Sequence, residues 1–168
     1  MRPARLLLLA LVLAGCGYHL VGRGGTHRYV IGPVADDGGE PLFGADLRAA
    51  LAREAVDRGD AALGAVGEAG AYLLKARVAA IREKAVAYSV GDRPRQYLLT
   101  AEAEVVLVGP DGKTVWKGLR ITADREFPAG DTVEETQNNK EAVLHLLSEE
   151  LAREILRRAS LALETGRP

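Results

Sequence analysis

Three stretches of the chain alternate hydrophobic and polar residues with a period of two. In residues 72–81, Tyr72, Leu74, Ala76, Val78 and Ala80 share one side, and Lys75, Arg77 and Ile81 share the other. In residues 97–108, Tyr97, Leu99, Ala101, Ala103, Val105 and Leu107 oppose Thr100, Glu102 and Glu104. In residues 114–127, Val115, Leu119, Ile121, Ala123 and Phe127 alternate with Trp116, Arg120, Thr122, Asp124 and Glu126. Side chains of a strand point to opposite faces in turn, so each stretch predicts a strand with one packed face and one wet or partner-facing face. Gly109-Pro110-Asp111-Gly112-Lys113 joins the last two as a tight hairpin.

Two other stretches follow the helical period. In residues 41–58, Leu42, Leu47, Leu51 and Ala55 fall on one stripe, with Asp46 early and Gly59 as a stop. A longer helix runs from Thr132 to about Leu163. Its stripe is Val143, Leu144, Leu147, Leu151, Ile155 and Ala159, widened by Leu146 and Leu156. Thr132 and Glu135 fit a capping box at its start. A short strand over residues 29–34 precedes the first helix. Pro33 has no N–H to donate, so this strand ends there or lies at an edge. Residues 59–70 hold four glycines and read as a loose connector.

The order is β-α-β-β-β-α. It predicts an α+β fold: a two-layer sandwich with a four-stranded, mostly antiparallel sheet covered by two helices. One domain spans residues 29–163, and 164–168 form a tail. Acids Glu102 and Glu104 on the middle strand, flanked by Lys75, Arg77 and Arg120, suit cross-strand pairing on the wet face.

The N-terminus follows a different pattern. Met1-Arg2-Pro3-Ala4-Arg5 is positive, residues 6–13 are all Leu, Ala or Val, and Leu13-Ala14-Gly15-Cys16 ends the run with the only cysteine. This is the layout of a secretory signal over residues 1–15. Leu-Ala-Gly before Cys resembles a bacterial lipobox, in which the thiol is acylated and the chain is cut just before it. The apolar run is far shorter than the ~20 residues that span a bilayer. The mature protein is therefore expected to start at Cys16, anchored by lipid. The Gly-rich residues 16–28 read as its tether.

Composition narrows the function. Residues 1–15 hold two arginines and no acid, so their removal shifts the formal net charge from −1 to −3. That is no electrostatic footprint for nucleic acid. Aromatic residues at 5% are too sparse for base stacking. His19 and His27 fall in the tether, and His145 stands alone on the last helix. Neither a Gly-x-Ser-x-Gly elbow nor a His-Glu-x-x-His pair nor a phosphate loop occurs. Nothing in the sequence asks for an enzyme, a metal or a cofactor.

Binding is the remaining reading. Val90-Gly91-Asp92-Arg93-Pro94-Arg95-Gln96 joins two of the long strands, with two arginines at its tip. Arginine forks match phosphate and carboxylate. With Arg82 and Lys84 on the incoming strand, Arg93 and Arg95 are expected to form a basic rim for an anionic glycolipid or an acidic surface.

Leu-Ala-Gly-Cys-Gly-Tyr-His-Leu over residues 13–20 resembles the start of the LptE family of lipopolysaccharide-assembly lipoproteins. The element order is similar too, as are Gln96-Tyr97-Leu98-Leu99, Arg125-Glu126-Phe127 and the late Ile155-Leu156-Arg157-Arg158. The resemblance implies an outer-membrane lipoprotein facing the periplasm. Such a protein plugs the LptD β-barrel, assists its assembly and binds lipopolysaccharide, here through Arg82, Lys84, Arg93 and Arg95. A basic residue that some members carry before the last helix has no clear counterpart in Thr132-Val133-Glu134-Glu135-Thr136. Gly17 after the cysteine is compatible with sorting to the outer membrane. The alternative is a lipoprotein subunit of another envelope lipid-transport machine.

Overall fold

The computed structural model describes residues 27–60 and 70–166. The expected cleavage site, Cys16 and most of the tether therefore lie outside the described residues. Six elements occur in the expected order: β1 (Arg28–Asp36), α1 (Phe43–Arg58), β2 (Ala71–Tyr88), β3 (Pro94–Val108), β4 (Thr114–Pro128) and α2 (Val133–Thr165). The strands form one sheet in the order β1-β2-β3-β4. β1 is parallel to β2, and the other two pairs are antiparallel. A parallel pair needs a crossover, and α1 supplies it.

Both helices cover the same face. Phe43, Leu47 and Leu51 of α1 and Leu147, Leu151 and Ile155 of α2 are buried against Leu74, Val78, Leu99, Leu107, Ile121 and Phe127 of the sheet. Small residues at Ala76, Ala101, Ala103 and Ala123 keep the sheet surface low under the helices. The helices run the same way. Lys140 near the start of α2 meets Glu40 just before α1, and Arg58 at the end of α1 donates to the Arg153 carbonyl. The sandwich thus has two ends. The upper end carries the β2–β3 turn and both helix starts. The lower end carries the start of β1, the β3–β4 turn and both helix ends.

β3 keeps its sequence pattern without interruption: Leu99, Ala101, Ala103, Val105 and Leu107 are all buried. Its neighbours do not. In β2 the register slips between Val78 and Ala80. Beyond the slip Ala80 pairs with Glu102 on the open face, and Ile81 pairs with the buried Ala101. This corrects the expected sides of both residues: one extra residue in a strand exchanges the faces of all residues beyond it. β2 also runs on to Tyr88, past the expected end at residue 81.

β4 has the same device. Ala103 pairs with Ile121 and Val105 with Gly118, which leaves Leu119 and Arg120 bulged, with Arg120 at φ 55°. Leu119, expected in the core, is 70% exposed. Trp116, expected on the wet face, pairs with the buried Leu107 and packs on the core across Gly118.

The start of α1 also differs from expectation. Leu42 is left-handed at φ 68°, outside α1 and exposed, and Phe43 takes the core position. No side chain of the capping residue serves the first turn; instead Asp36 at the end of β1 accepts from the Gly44 N–H at 2.7 Å. Gly59 closes α1 in the left-handed conformation, donating to Ala55 and Val56. At α2, Thr132 Oγ1 accepts from the Glu135 N–H at 3.1 Å, and Glu135 accepts from the Asp131 N–H. That is the expected capping box, displaced by one residue on the return bond. Leu146 is surface-exposed rather than part of the buried stripe; Ser148 and Ala152 are buried instead. Pro33 lies in an edge strand, at an irregularity between Ile31 and Val34.

Candidate functional site

The β2–β3 ladder runs up to the Tyr88–Pro94 pair and closes through residues 89–93. The Ser89 N–H donates to the Arg93 carbonyl at 2.8 Å, and the Asp92 N–H donates to the Ser89 carbonyl at 3.2 Å. Gly91 and Asp92 sit at φ 99° and 57°. Glycine reaches this region freely, and aspartate is among the few other residues that tolerate it. The turn is thus set by local chemistry, and it places Arg93 and Arg95 on either side of Pro94 at the start of β3.

Arg93 and Arg95 line one shallow depression with Tyr88, Ser89, Val90 and Gly91. Strand geometry places residues two apart on one side, about 7 Å from each other. Both arginines are exposed, and among the described residues neither guanidinium has an ion-pair partner. Beside them stand Val90, fully exposed, and Tyr88, 58% exposed. Unpaired guanidinium groups beside exposed apolar side chains can bind an amphiphile whose anionic part meets the forks and whose hydrocarbon part meets Tyr88 and Val90.

Arg82 and Lys84 lie elsewhere. They pair with Thr100 and Leu98 on the open face of the sheet, on the other side from Tyr97. Arg82 donates to Glu102 at 3.0 Å, and Arg120 approaches the same carboxylate at 3.8 Å. Lys84 is exposed with no ion-pair partner among the described residues. The structure therefore brings Arg93 and Arg95 together, but Arg82 and Lys84 do not share their depression. Sequence reasoning found the two arginines and missed Tyr88 and Val90, because a strand extending past its helix cover has no distinct hydrophobic period.

The open face carries the expected cross-strand pairing of Arg77 with Glu104 and of Arg120 with Glu102, whereas Lys75 has no ion-pair partner among the described residues. Arg77 bridges Asp37 at 2.7 Å and Glu104 at 3.1 Å. At the lower end, Tyr29 Oη and Ser160 Oγ lie 3.1 Å apart beneath α2. Asp60 is buried there, with one carboxylate oxygen unpaired. Burial pushes its carboxyl up, against the opposing pull of Arg58 and His27. Among the described residues, no group of three or more His, Cys, Asp or Glu is placed to hold a metal ion. No described helix is long and apolar enough to cross a membrane.

The architecture is thus a mixed sheet under two parallel helices, with a charged hairpin at its upper end. The LptE family of lipopolysaccharide-assembly proteins matches over residues 28–159, and this chain belongs to it. Comparison with curated protein sequences gives no match. Solved structures share the fold. Lipoprotein B from Nitrosomonas europaea has a TM-score of 0.59 at 19% identity, covering 89% of this chain and 94% of its own. The rare lipoprotein B from Shewanella oneidensis has a TM-score of 0.56 at 12% identity, covering 81% and 98%. A minor lipoprotein from Acinetobacter baumannii has a TM-score of 0.50 at 18% identity, covering 80% and 94%.

Proposed function

We propose that this protein is a lipoprotein of the outer membrane, acylated at Cys16, which seats in an LptD-type β-barrel. From there it offers its β2–β3 tip to lipopolysaccharide passing to the cell surface. The observation that carries the reading is the pair of unpartnered arginines beside exposed Tyr88 and Val90. Family membership supports the pathway. Lipopolysaccharide combines phosphates with acyl chains, so it matches both halves of that surface. Arginine suits phosphate because its planar fork donates two parallel hydrogen bonds.

The fold gives the tip its position. The described chain starts at the lower end, where β1 begins at Arg28 beside Ala71. The tip lies at the opposite end of β3, whose 15 residues span about 50 Å at ~3.3 Å each. The described domain thus separates the point where the chain enters the fold from the basic hairpin by a distance comparable to a full bilayer. The role is binding and assembly, with no catalytic step.

The test uses the mature lipoprotein in mild detergent. A large β-barrel protein is expected to come with it, and Arg93→Glu with Arg95→Glu is expected to weaken lipopolysaccharide binding at least tenfold, given ~1.5–3 kcal/mol per charged hydrogen bond. Co-purification with inner-membrane components instead would favour another envelope lipid-transport machine. Equal lipopolysaccharide binding by the double variant would move the site off the tip.

A further inference from the structure

We infer that a groove at the lower end, between the bulge of β4 and the last turns of α2, is a binding site for one acyl chain of a phosphate-bearing lipid. It lies at the far end of the sheet from Arg93 and Arg95, and the inference does not rest on the tip.

The bulge makes the groove. β4 is an edge strand, and a regular alternation with the buried Ile121 would turn Leu119 inwards. Instead Leu119 and Arg120 are bulged, Arg120 is held at φ 55°, and Leu119 stands 70% exposed. A left-handed arginine is strained, and here the strain places a leucine in water, which core packing does not explain. Leu161 of α2 lines the same groove and is 50% exposed. Trp116 and Ala162 complete the apolar lining. Gly118 leaves room for the indole, since a Cβ there would collide with the ring. The groove measures about 390 Å³, within the roughly 300–1,000 Å³ of clefts that hold small molecules.

Its polar rim is cationic. Lys117 is exposed, with no ion-pair partner among the described residues. Arg158 donates its Nε–H to Glu154 at 2.6 Å, and Arg157 holds both oxygens of that same carboxylate. One acid thus answers two guanidinium groups and leaves a positive charge over. No acid among the described residues lines the groove. The two grooves beside Arg153 differ: Glu150 and Glu154 line one, and Glu54, Asp57 and Glu149 line the other.

These properties select the occupant. An apolar floor under a cationic rim matches hydrocarbon joined to phosphate. A partner strand fits poorly, because the bulge breaks the row of N–H and C=O groups along the edge of β4. A second copy related by a two-fold axis would set Lys117 and Arg158 against the same cations. A hydrocarbon chain needs no backbone partner, and its phosphate answers the rim.

Trp116 is the only tryptophan in the chain, so the groove carries its own reporter. The test uses the full mature lipoprotein in maltoside micelles and two probes with the same brominated acyl chain, a lysophosphatidic acid and a lysophosphatidylcholine. Bromine quenches indole emission on contact. The lysophosphatidic acid is expected to quench Trp116 at about tenfold lower concentration than the choline probe, and Lys117→Ala with Arg158→Ala is expected to remove that preference. Leu119→Asp with Leu161→Asp, at two exposed positions, is expected to abolish quenching by either probe and to leave the urea midpoint unchanged. Ala162→Phe is expected to abolish it too, by filling the groove without adding charge. Arg93→Glu with Arg95→Glu is expected to leave quenching as it is, so failure at the tip and failure at the groove read separately. Equal quenching by the two probes overturns the proposal, because it removes the phosphate. Quenching that survives both Leu119→Asp with Leu161→Asp and Ala162→Phe overturns it by assigning the contact to the micelle. Loss of quenching in the tip variant overturns the groove as a separate site.

Discussion

Glu83 leaves the helix-facing side of β2 to meet the Lys140 ammonium of α2 at 3.0 Å. Glu40, in the loop before α1, reaches the same ammonium. One lysine, 16% exposed, therefore joins the sheet to the starts of both helices. Burial alone would lower its pKa, but the hydrogen bonds to Glu40 and Glu83 outweigh it and hold it above the usual lysine range. Lys140→Met leaves two carboxylates facing each other without a cation. The expected cost is about 2 kcal/mol, below the 3–5 kcal/mol of a fully buried pair because Glu83 is partly exposed. Adding Glu40→Gln and Glu83→Gln should recover most of that loss. Urea midpoints of the single and triple variants check it.

Glu154 on α2 has its pKa lowered to about 2. The Arg157 hydrogen bond is the main cause; burial opposes it, and Arg158 adds to it. Its folded value lies below the ordinary 4.5, so its contribution is present above pH 4.5 and is lost as pH falls towards 2. The arginines are 58% and 41% exposed, so solvent screens the pair. Glu154→Gln is expected to cost about 1 kcal/mol at neutral pH. The difference from the parent should vanish near pH 2, as read by thermal unfolding across pH.

Asp60 behaves in the opposite sense. Burial raises its carboxyl above the ordinary 3.8, so the folded state holds a proton that the unfolded chain has released. Its ionisation costs stability as pH rises from the ordinary value through the raised one. Asp60→Asn is expected to stabilise the domain by about 1 kcal/mol at pH 7 and to change little at pH 3. Chemical denaturation at the two pH values distinguishes this from a uniform effect.

Gly118 gives the Trp116 indole its place. A Cβ there would collide with the ring and come within 2.8 Å of Ile121 Cδ1. Gly118→Ala is expected to cost about 2 kcal/mol by overpacking. Trp116 is the only tryptophan, so its emission reports the displacement directly, as a shift to the red.

The alternation in β3 was legible because that strand is central and unbroken: its partners on both sides conform to it. β2 and β4 were legible as strands, but the faces of Ala80, Ile81, Trp116 and Leu119 were not. Their bulges arise from pairing with β3, a relationship absent from either stretch alone. The start of α1 was misplaced for a similar reason. Its first turn is served by Asp36, eight residues before Gly44, and not by a residue at the helix boundary. Arg93 and Arg95 were visible as charges around Pro94 in a polar turn. Their separation from Arg82 and Lys84 was hidden, since the sides of β2 beyond residue 78 depend on the slip between Val78 and Ala80.

The parallel pairing of β1 with β2 has a mechanical consequence. The chain enters β1 at the lower end, so a downward tug on it loads the strand along its own axis. The hydrogen bonds from Arg28 to Asp36 then resist together, in shear, where an antiparallel hairpin pulled from its open end would unzip one rung at a time. Loaded in that direction, the β1–β2 joint breaks its bonds together and not in turn.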